Sequence, residues 1–274
     1  MNNYLKKIIL IIPFLGKIIK DRDQLLIERN ALSQQIGSTS NQTHNYDKLL
    51  QINNELLYAH IFSDSIKDSS WLKNKSFSPY QGAANYSFLY KLFRIYDVIQ
   101  PKNILEFGLG QTTKLTYHYT KYKNKSSKAL VIDDNQQWID IYKKETINSK
   151  NFLIKRLDTT SFTYKGIITL ASKYANLNNI IKKEKFDLII IDGPIGYDKE
   201  YPRTNILDLI KNNLSNKWII IIDDTNRSGE QNTINLMVHK LQIMNIKFYS
   251  FTIEGSRQQT VLCSLNIHKL VYAI

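Results

Sequence analysis

Cysteine is nearly absent: Cys263 is the only one in 274 residues. One thiol closes no intramolecular disulfide and builds no thiolate metal site. It suits a reducing compartment, so the expected location is cytoplasmic. Proline (5) and glycine (10) are also scarce, while 43% of the residues are hydrophobic. That balance excludes a disordered or fibrous chain and fits a globular α/β protein. No apolar run reaches the roughly 18–20 residues needed to span a bilayer. The N-terminal run, Ile8 to Gly16 between Lys6-Lys7 and Lys17, has no small-x-small cleavage pattern, so a signal peptide is not expected. His44, His60, His239 and His268 lack metal-binding spacing, and His118 reads as a packing or surface residue on a helix. No internal repeat or low-complexity block is present.

The charge is lopsided: 37 Lys and Arg against 24 Asp and Glu give +13. Such a balance serves nucleic acid, an anionic membrane surface or an acidic substrate, or reflects a general bias towards Lys, Asn and Ile. No basic stripe interleaved with aromatics is visible, so nucleic acid is not an expected partner. Residues 1–20 form a basic apolar segment with two readings. One is an interfacial anchor on an anionic membrane, peripheral at its inner face; the other is a helix packed on the body or on a second subunit. Residues 21–70 read as a helical arm with a polar break at Gly37–Gln42. Leu25, Leu32 and Ile36 precede the break, and Leu49, Leu50, Ile52, Leu56 and Leu57 follow it. Fewer than four heptads rule out a long coiled coil, leaving a short hairpin or a homo-oligomer contact.

From residue 71 to 274 the pattern is that of a single α/β domain. After a helix at 84–99, strands are expected at 103–107, 129–133, 152–157, 186–191 and 218–222. Helices between them fall at 112–123, 135–147, 203–214 and 229–244. This alternation predicts a Rossmann-like, mostly parallel sheet. Two further strands, 248–253 and 260–265, have a connection too short for anything but an antiparallel pair.

In such a sheet the ligand lies beyond the carboxyl ends of the strands. Those ends carry Glu106 with Gly108 and Gly110, then Asp133-Asp134, Asp158, Asp192 and Asp223-Asp224. A Gly-x-Gly turn into a helix brings backbone close to a ligand. The third glycine of a dinucleotide fingerprint is replaced by Thr113, which disfavours NAD and favours S-adenosylmethionine. Glu106, Gly108, Gly110, Thr112, Asp133, Asp134 and Asp158 are therefore the candidate cofactor residues. Asp133 is placed to accept hydrogen bonds from a ribose diol, or to cap the next helix, and Trp138 to border an adenine or to fill core. Asp192 and Asp224 are the candidate catalytic carboxylates. Either one takes a proton directly, or with Asp223 they hold a divalent cation such as Mg²⁺, or they serve only as caps. Arg203 and Arg227 stand beside them, able to grip an acidic acceptor.

Taken together, the segments LEFGLGQTT, VIDDNQQW, FDLIIIDGPIGY with Arg203 beyond it, and IIDDTNR resemble the plant glucuronoxylan 4-O-methyltransferase family, over roughly residues 100 to 265. The resemblance implies a class I methyltransferase that moves a methyl group from S-adenosylmethionine to a sugar hydroxyl, with a saccharide acceptor such as a uronic acid. It places Tyr197, Arg203, Asn226 and Arg227 at the acceptor. The acid pair Asp133-Asp134 departs from the family's two glutamates, and the arm lies outside the shared motifs. Asp192, Asp223 and Asp224 also resemble the metal-ligand positions of catechol-type O-methyltransferases, yet Ile195 stands where those enzymes place a catalytic lysine. The basic N-terminal segment looks like those of bacterial surface-glycan enzymes. The competing expectations are an NAD-dependent sugar-modifying enzyme, an RNA methyltransferase and a non-catalytic membrane-associated scaffold.

Overall fold

The computed structural model describes residues 13–79, 83–145 and 150–274. Expectations for residues 1–12 and for the end of the helix at 146–147 lie outside the described residues. The chain divides into two units, residues 1–50 and 51–274. Helix α1 is Pro13–Lys67. The expected break at Gly37–Gln42 is helical instead, and no hairpin forms there. One glycine costs a helix only about 1 kcal/mol, and the remaining residues of the break are tolerated in a helix, with no proline to end it. In the first unit Leu25, Leu26, Ile27, Leu49 and Leu50 are exposed.

The second unit is built on one sheet. Its elements are α2 (Tyr86–Arg94), β1 (Asn103–Phe107), α3 (Gln111–His118), β2 (Lys128–Asp133), α4 (Gln136–Glu145), β3 (Phe152–Arg156), β4 (Thr159–Tyr164) and β5 (Ile167–Tyr174). Then come α5 (Leu177–Ile181), β6 (Phe186–Ile191), α6 (Asn205–Leu209), β7 (Leu214–Ile222), α7 (Ser228–Ile243), β8 (Phe248–Glu254), β9 (Gln258–Ser264) and α8 (His268–Ala273). Seven strands pair in the order β3-β2-β1-β6-β7-β9-β8, and only β9 runs against the rest. This is the Rossmann-like, mostly parallel sheet with a C-terminal antiparallel pair that the alternation predicts. The chain leaves β1 for β2 on one side and later starts β6 on the other, opening a crevice at the carboxyl ends between β1 and β6.

The central strand β6 and the second half of β7 are apolar on both faces because both are covered. Side chains alternate across the sheet, so Ile190, Ile219 and Ile221 join one core with Phe62, Trp71, Phe88, Leu92 and Tyr96. Ile189, Ile191, Ile220 and Ile222 join the other with Ile206, Leu209, Met237 and Leu241. Phe62 is 1% exposed and meets Phe77 edge-on at 5.2 Å between ring centres. Truncating it to alanine should cost about 3–5 kcal/mol.

Besides the short helix α5, which was not expected, three features differ from expectation. The helix expected at 203–214 is short, and β7 starts at Leu214, paired with Phe186. Asn213 ends it by donating its amide to Lys182 O and Glu184 O at 3.2 and 2.8 Å. The β4–β5 hairpin forms a separate two-stranded sheet where no strand was expected. Its turn is Lys165-Gly166, both at positive φ (49° and 82°), as a tight two-residue hairpin requires. The helix α8 was also not expected; Lys91 Nζ donates to Val271 O at 2.6 Å and to Ile274 O at 2.8 Å.

Candidate functional site

A cavity of about 680 Å³ opens at the carboxyl ends of β1, β2 and β6. That size lies within the roughly 300–1,000 Å³ of small-molecule and cofactor sites. Among its lining residues are Gly108, Gly110, Asp133, Asp134 and Trp138 at one side, and Asp192, Tyr197, Arg203, Asp224, Arg227 and Arg257 at the other.

Gly108 carries the turn out of β1. Its φ is +94°, and a Cβ there would lie 2.7 Å from Asp192 O and 2.8 Å from Asp192 C. Only glycine lets the β1–α3 turn pass this close to the end of β6. Gly110 is different: its φ is −173°, and a Cβ would meet nothing within 4 Å. Because Gly110 lines the cavity, that space is available to a ligand.

Asp133 ties this turn to β2. Its Oδ2 accepts from Leu109 N at 2.7 Å and its Oδ1 from Asn135 N at 2.8 Å. Burial raises the carboxyl's pKa, while these two backbone hydrogen bonds pull it down. Held in this way by backbone donors, the carboxylate stands in the cavity wall. Trp138 Nε1 donates to Leu109 O at 2.8 Å, fixing the indole as a wall, and Tyr142 Oη donates to Gly110 O.

Glu106 and Thr112, expected at the cofactor, lie outside the cavity lining. Glu106 is fully buried and accepts from Thr112 Oγ1 at 2.7 Å, Thr113 Oγ1 at 2.8 Å and Thr116 Oγ1 at 2.6 Å. Burial pushes its carboxyl up to about 7 against those three hydrogen bonds. Thr113 thus replaces a third glycine with a hydroxyl that fastens α3 to β1. Asp158 is also outside: it is exposed and paired with Arg156 at 2.6 Å. Asn226 is exposed, with its Oδ1 3.5 Å from Gln258 N.

The far side of the cavity is a charged cluster at the ends of β6 and β7. Arg203, expected to grip an acceptor, is 4% exposed and spent internally. Its Nη2 reaches Asp224 Oδ2 at 2.9 Å and Asp192 Oδ1 at 3.5 Å, and its Nη1 donates to Asp223 O at 2.8 Å. Asp224 Oδ2 also meets Arg227 Nη1 at 3.0 Å, and its Oδ1 meets Arg257 Nη1 at 3.3 Å. Asp223 is wholly buried; Oδ1 accepts from Gln259 Nε2 at 2.7 Å, while Oδ2 has no hydrogen bond and lies 3.7 Å from Arg257 Nη1. Burial, then the charges of Asp223 and Asp224, pushes the Asp192 carboxyl well above the usual range, against the pull of Arg203 and Arg257.

One carboxylate oxygen from each of Asp192, Asp223 and Asp224 falls within 4.8 Å of the others, a spacing that alone suits a hard cation. The residues present do not fit one. Guanidinium nitrogens of Arg203, Arg227 and Arg257 stand 2.9 to 3.7 Å from these carboxylates. They supply the positive charge a divalent ion would bring and would repel it.

Arg257 and Tyr174 line the cavity without having been singled out from the sequence. Arg257 was findable: the reversed strand β9 begins at the same rim where its parallel neighbours end. Tyr174 closes the unanticipated hairpin, and its hydroxyl abuts Gly193, where a Cβ would lie 2.6 Å from it.

No family model and no curated protein matches the sequence. Among solved structures, the chain is similar to the O-methyltransferase TomG of Streptomyces achromogenes, in complex with S-adenosylmethionine. The match has 11% identity over 79% of this chain and 98% of that one, with a TM-score of 0.49. An O-methyltransferase of Bacillus cereus matches at 18% identity over 77% and 90%, TM-score 0.40. The methyltransferase PaMTH1 of Podospora anserina matches at 13% over 82% and 94%, TM-score 0.44. Nothing about the chemistry of this site follows from similarity so distant.

Proposed function

We propose that this chain is an S-adenosylmethionine-dependent O-methyltransferase whose acceptor is a sugar hydroxyl, on a saccharide carrying an acidic group. The observation that carries the reading is the two-sided cavity. One side joins a glycine turn, a ribose-ready carboxylate and an indole wall; the other sets carboxylates against arginines.

The residues of the first side fit the cofactor. Asp133 accepts hydrogen bonds from a ribose diol while its two backbone donors hold it in place. Trp138 and Leu109 flank an adenine, and the open space at Gly110 admits the nucleoside. The acids on the rim suit a positively charged sulfonium. S-adenosylmethionine, when bound, supplies that sulfonium methyl as the electrophile. The protein's own contribution is then to hold the acceptor oxygen in line with it and to take the proton.

Asp192 is the base in this reading. Burial and its acidic neighbours raise its affinity for a proton above that of an ordinary aspartate. Arg227 and Arg257, with side chains 34% and 17% exposed, face the cavity and offer donors to an acidic acceptor. Asp224 holds both of them, Arg203 in turn holds Asp224, and these two act as positioning residues. Tyr197, 68% exposed, extends the acceptor side with an amphipathic ring.

The test supplies S-adenosylmethionine with a labelled methyl group to uronic-acid oligosaccharides, neutral oligosaccharides and RNA. Label in an ether on the acidic oligosaccharide, lost with Asp192→Asn although the cofactor still binds, supports the reading. Transfer to RNA would replace the acceptor, and no transfer to any saccharide would sink it.

A further inference from the structure

The five parallel strands β3, β2, β1, β6 and β7 lie side by side, and their carboxyl ends bear the acids described above. Their amino ends carry the opposite sign. Lys150 precedes β3, Lys128 opens β2, Lys102 precedes β1 and Lys185 precedes β6. Lys217 in β7 stands two positions before Ile219, which pairs with Leu188. With about 4.8 Å between strands, the row is roughly 19 Å long.

All five lysines are exposed, and among the described residues none has an ion pair or a hydrogen bond at Nζ. Of the two acids nearby, Glu184 is exposed, while Asp187 Oδ2 is occupied by the backbone N–H groups of Lys102 and Asn103 at 2.8 and 2.9 Å. Lys128, Lys150, Lys155 and Lys185 also edge a groove of about 270 Å³ lined by Leu130 and Leu153, the latter 50% exposed.

We propose that this amino-end rim docks on the surface of an anionic phospholipid bilayer. Lysine ammoniums are compact, hydrated charges suited to headgroups, each contributing a factor of about five to partition on an anionic surface. An exposed leucine between them reaches towards the acyl boundary. A nucleic-acid surface would offer arginine forks and stacking rings, and these lysines are accompanied by neither. Docked this way, the cavity at the opposite strand ends opens away from the lipid, towards water-borne acceptors.

The test is sedimentation of the full chain with phosphatidylcholine vesicles, with and without phosphatidylglycerol. It compares wild type, Lys102→Glu/Lys128→Glu/Lys150→Glu/Lys185→Glu, the same four changed to Gln, and Lys6→Glu/Lys7→Glu/Lys17→Glu. The expected result is binding only to phosphatidylglycerol vesicles, weakened on the order of 100-fold or more by the rim changes, with the far-ultraviolet spectrum unaltered. Should the Glu set unfold, the Gln set carries the comparison. Failure of wild type to bind, retention of binding by the folded rim variant, or loss only in the N-terminal variant would overturn the proposal. So would capture of oligouridylate in preference to the vesicles.

Discussion

Arg203 and Asp224 form an ion pair at 2.9 Å, and both hold left-handed backbone conformations, with φ of 59° and 60°. Two non-glycine residues in that region cost about 1–2 kcal/mol each. Their side chains are each only 4% exposed, so the pair lies in a poorly solvated pocket from which neither charge can escape to water. The turns after β6 and β7 are thus fastened to each other by charge, which places Asp192 and the two outer arginines around one cavity.

Removing Arg203 should therefore cost more than a surface arginine. Arg203→Ala leaves Asp224, Asp192 and Glu230 short of a counter-charge, and unfolding free energy should fall by about 3–5 kcal/mol. Arg203→Lys, which lacks the planar fork, should lose less but still destabilise. Urea denaturation of the two variants checks this.

Glu106 should make stability pH-dependent in a definite direction. Its carboxyl sits at about 7 in the fold against an ordinary 4.5. The folded state holds this proton more tightly than the unfolded chain does, so stability falls as pH rises between these values. The loss is absent below the lower value and complete above the upper one, about 3 kcal/mol in all. Glu106→Gln cannot ionise, so its stability relative to wild type should climb by that amount across the window. A relative stability that stays flat with pH would refute the assignment.

The two glycines of the β1–α3 turn should separate fold from function. At Gly108 an added Cβ collides with Asp192 backbone at positive φ, so Gly108→Ala should lower stability by roughly 2 kcal/mol or more. At Gly110 the Cβ meets only the cavity, so Gly110→Ala should melt like wild type yet bind cofactor more weakly. Thermal unfolding beside ligand titration distinguishes them.

Chelation should leave methyl transfer unchanged. Arginine nitrogens already flank Asp192, Asp223 and Asp224, so added Mg²⁺ or Mn²⁺ should neither bind at micromolar concentration nor restore a chelated sample. Calorimetric titration of Mn²⁺ reads this without an assay.

The sheet was legible because its parallel strands are short apolar runs punctuated by acids, most plainly the isoleucine runs of β6 and β7 that lead into Asp192 and Asp223. The β4–β5 hairpin was not, although Lys165-Gly166 is an ordinary turn signal. Its exposed, alternating residues resemble a polar linker more than buried strands. Among site residues, the acids at strand ends could be placed on one rim, but not their partners. Glu106 turns inward to three threonines, and Arg203 inward to Asp192 and Asp224, because burial decides such pairings and sequence order does not. Arg257 reaches the site only through the reversed strand.

The most direct measurement is calorimetric titration of the protein with S-adenosylmethionine, with NAD⁺ in parallel and Asp133→Ala as control. The account expects micromolar affinity for S-adenosylmethionine alone, weakened about 10- to 100-fold in the variant by loss of charge-assisted hydrogen bonds. Binding of NAD⁺ instead, or of neither, would contradict it.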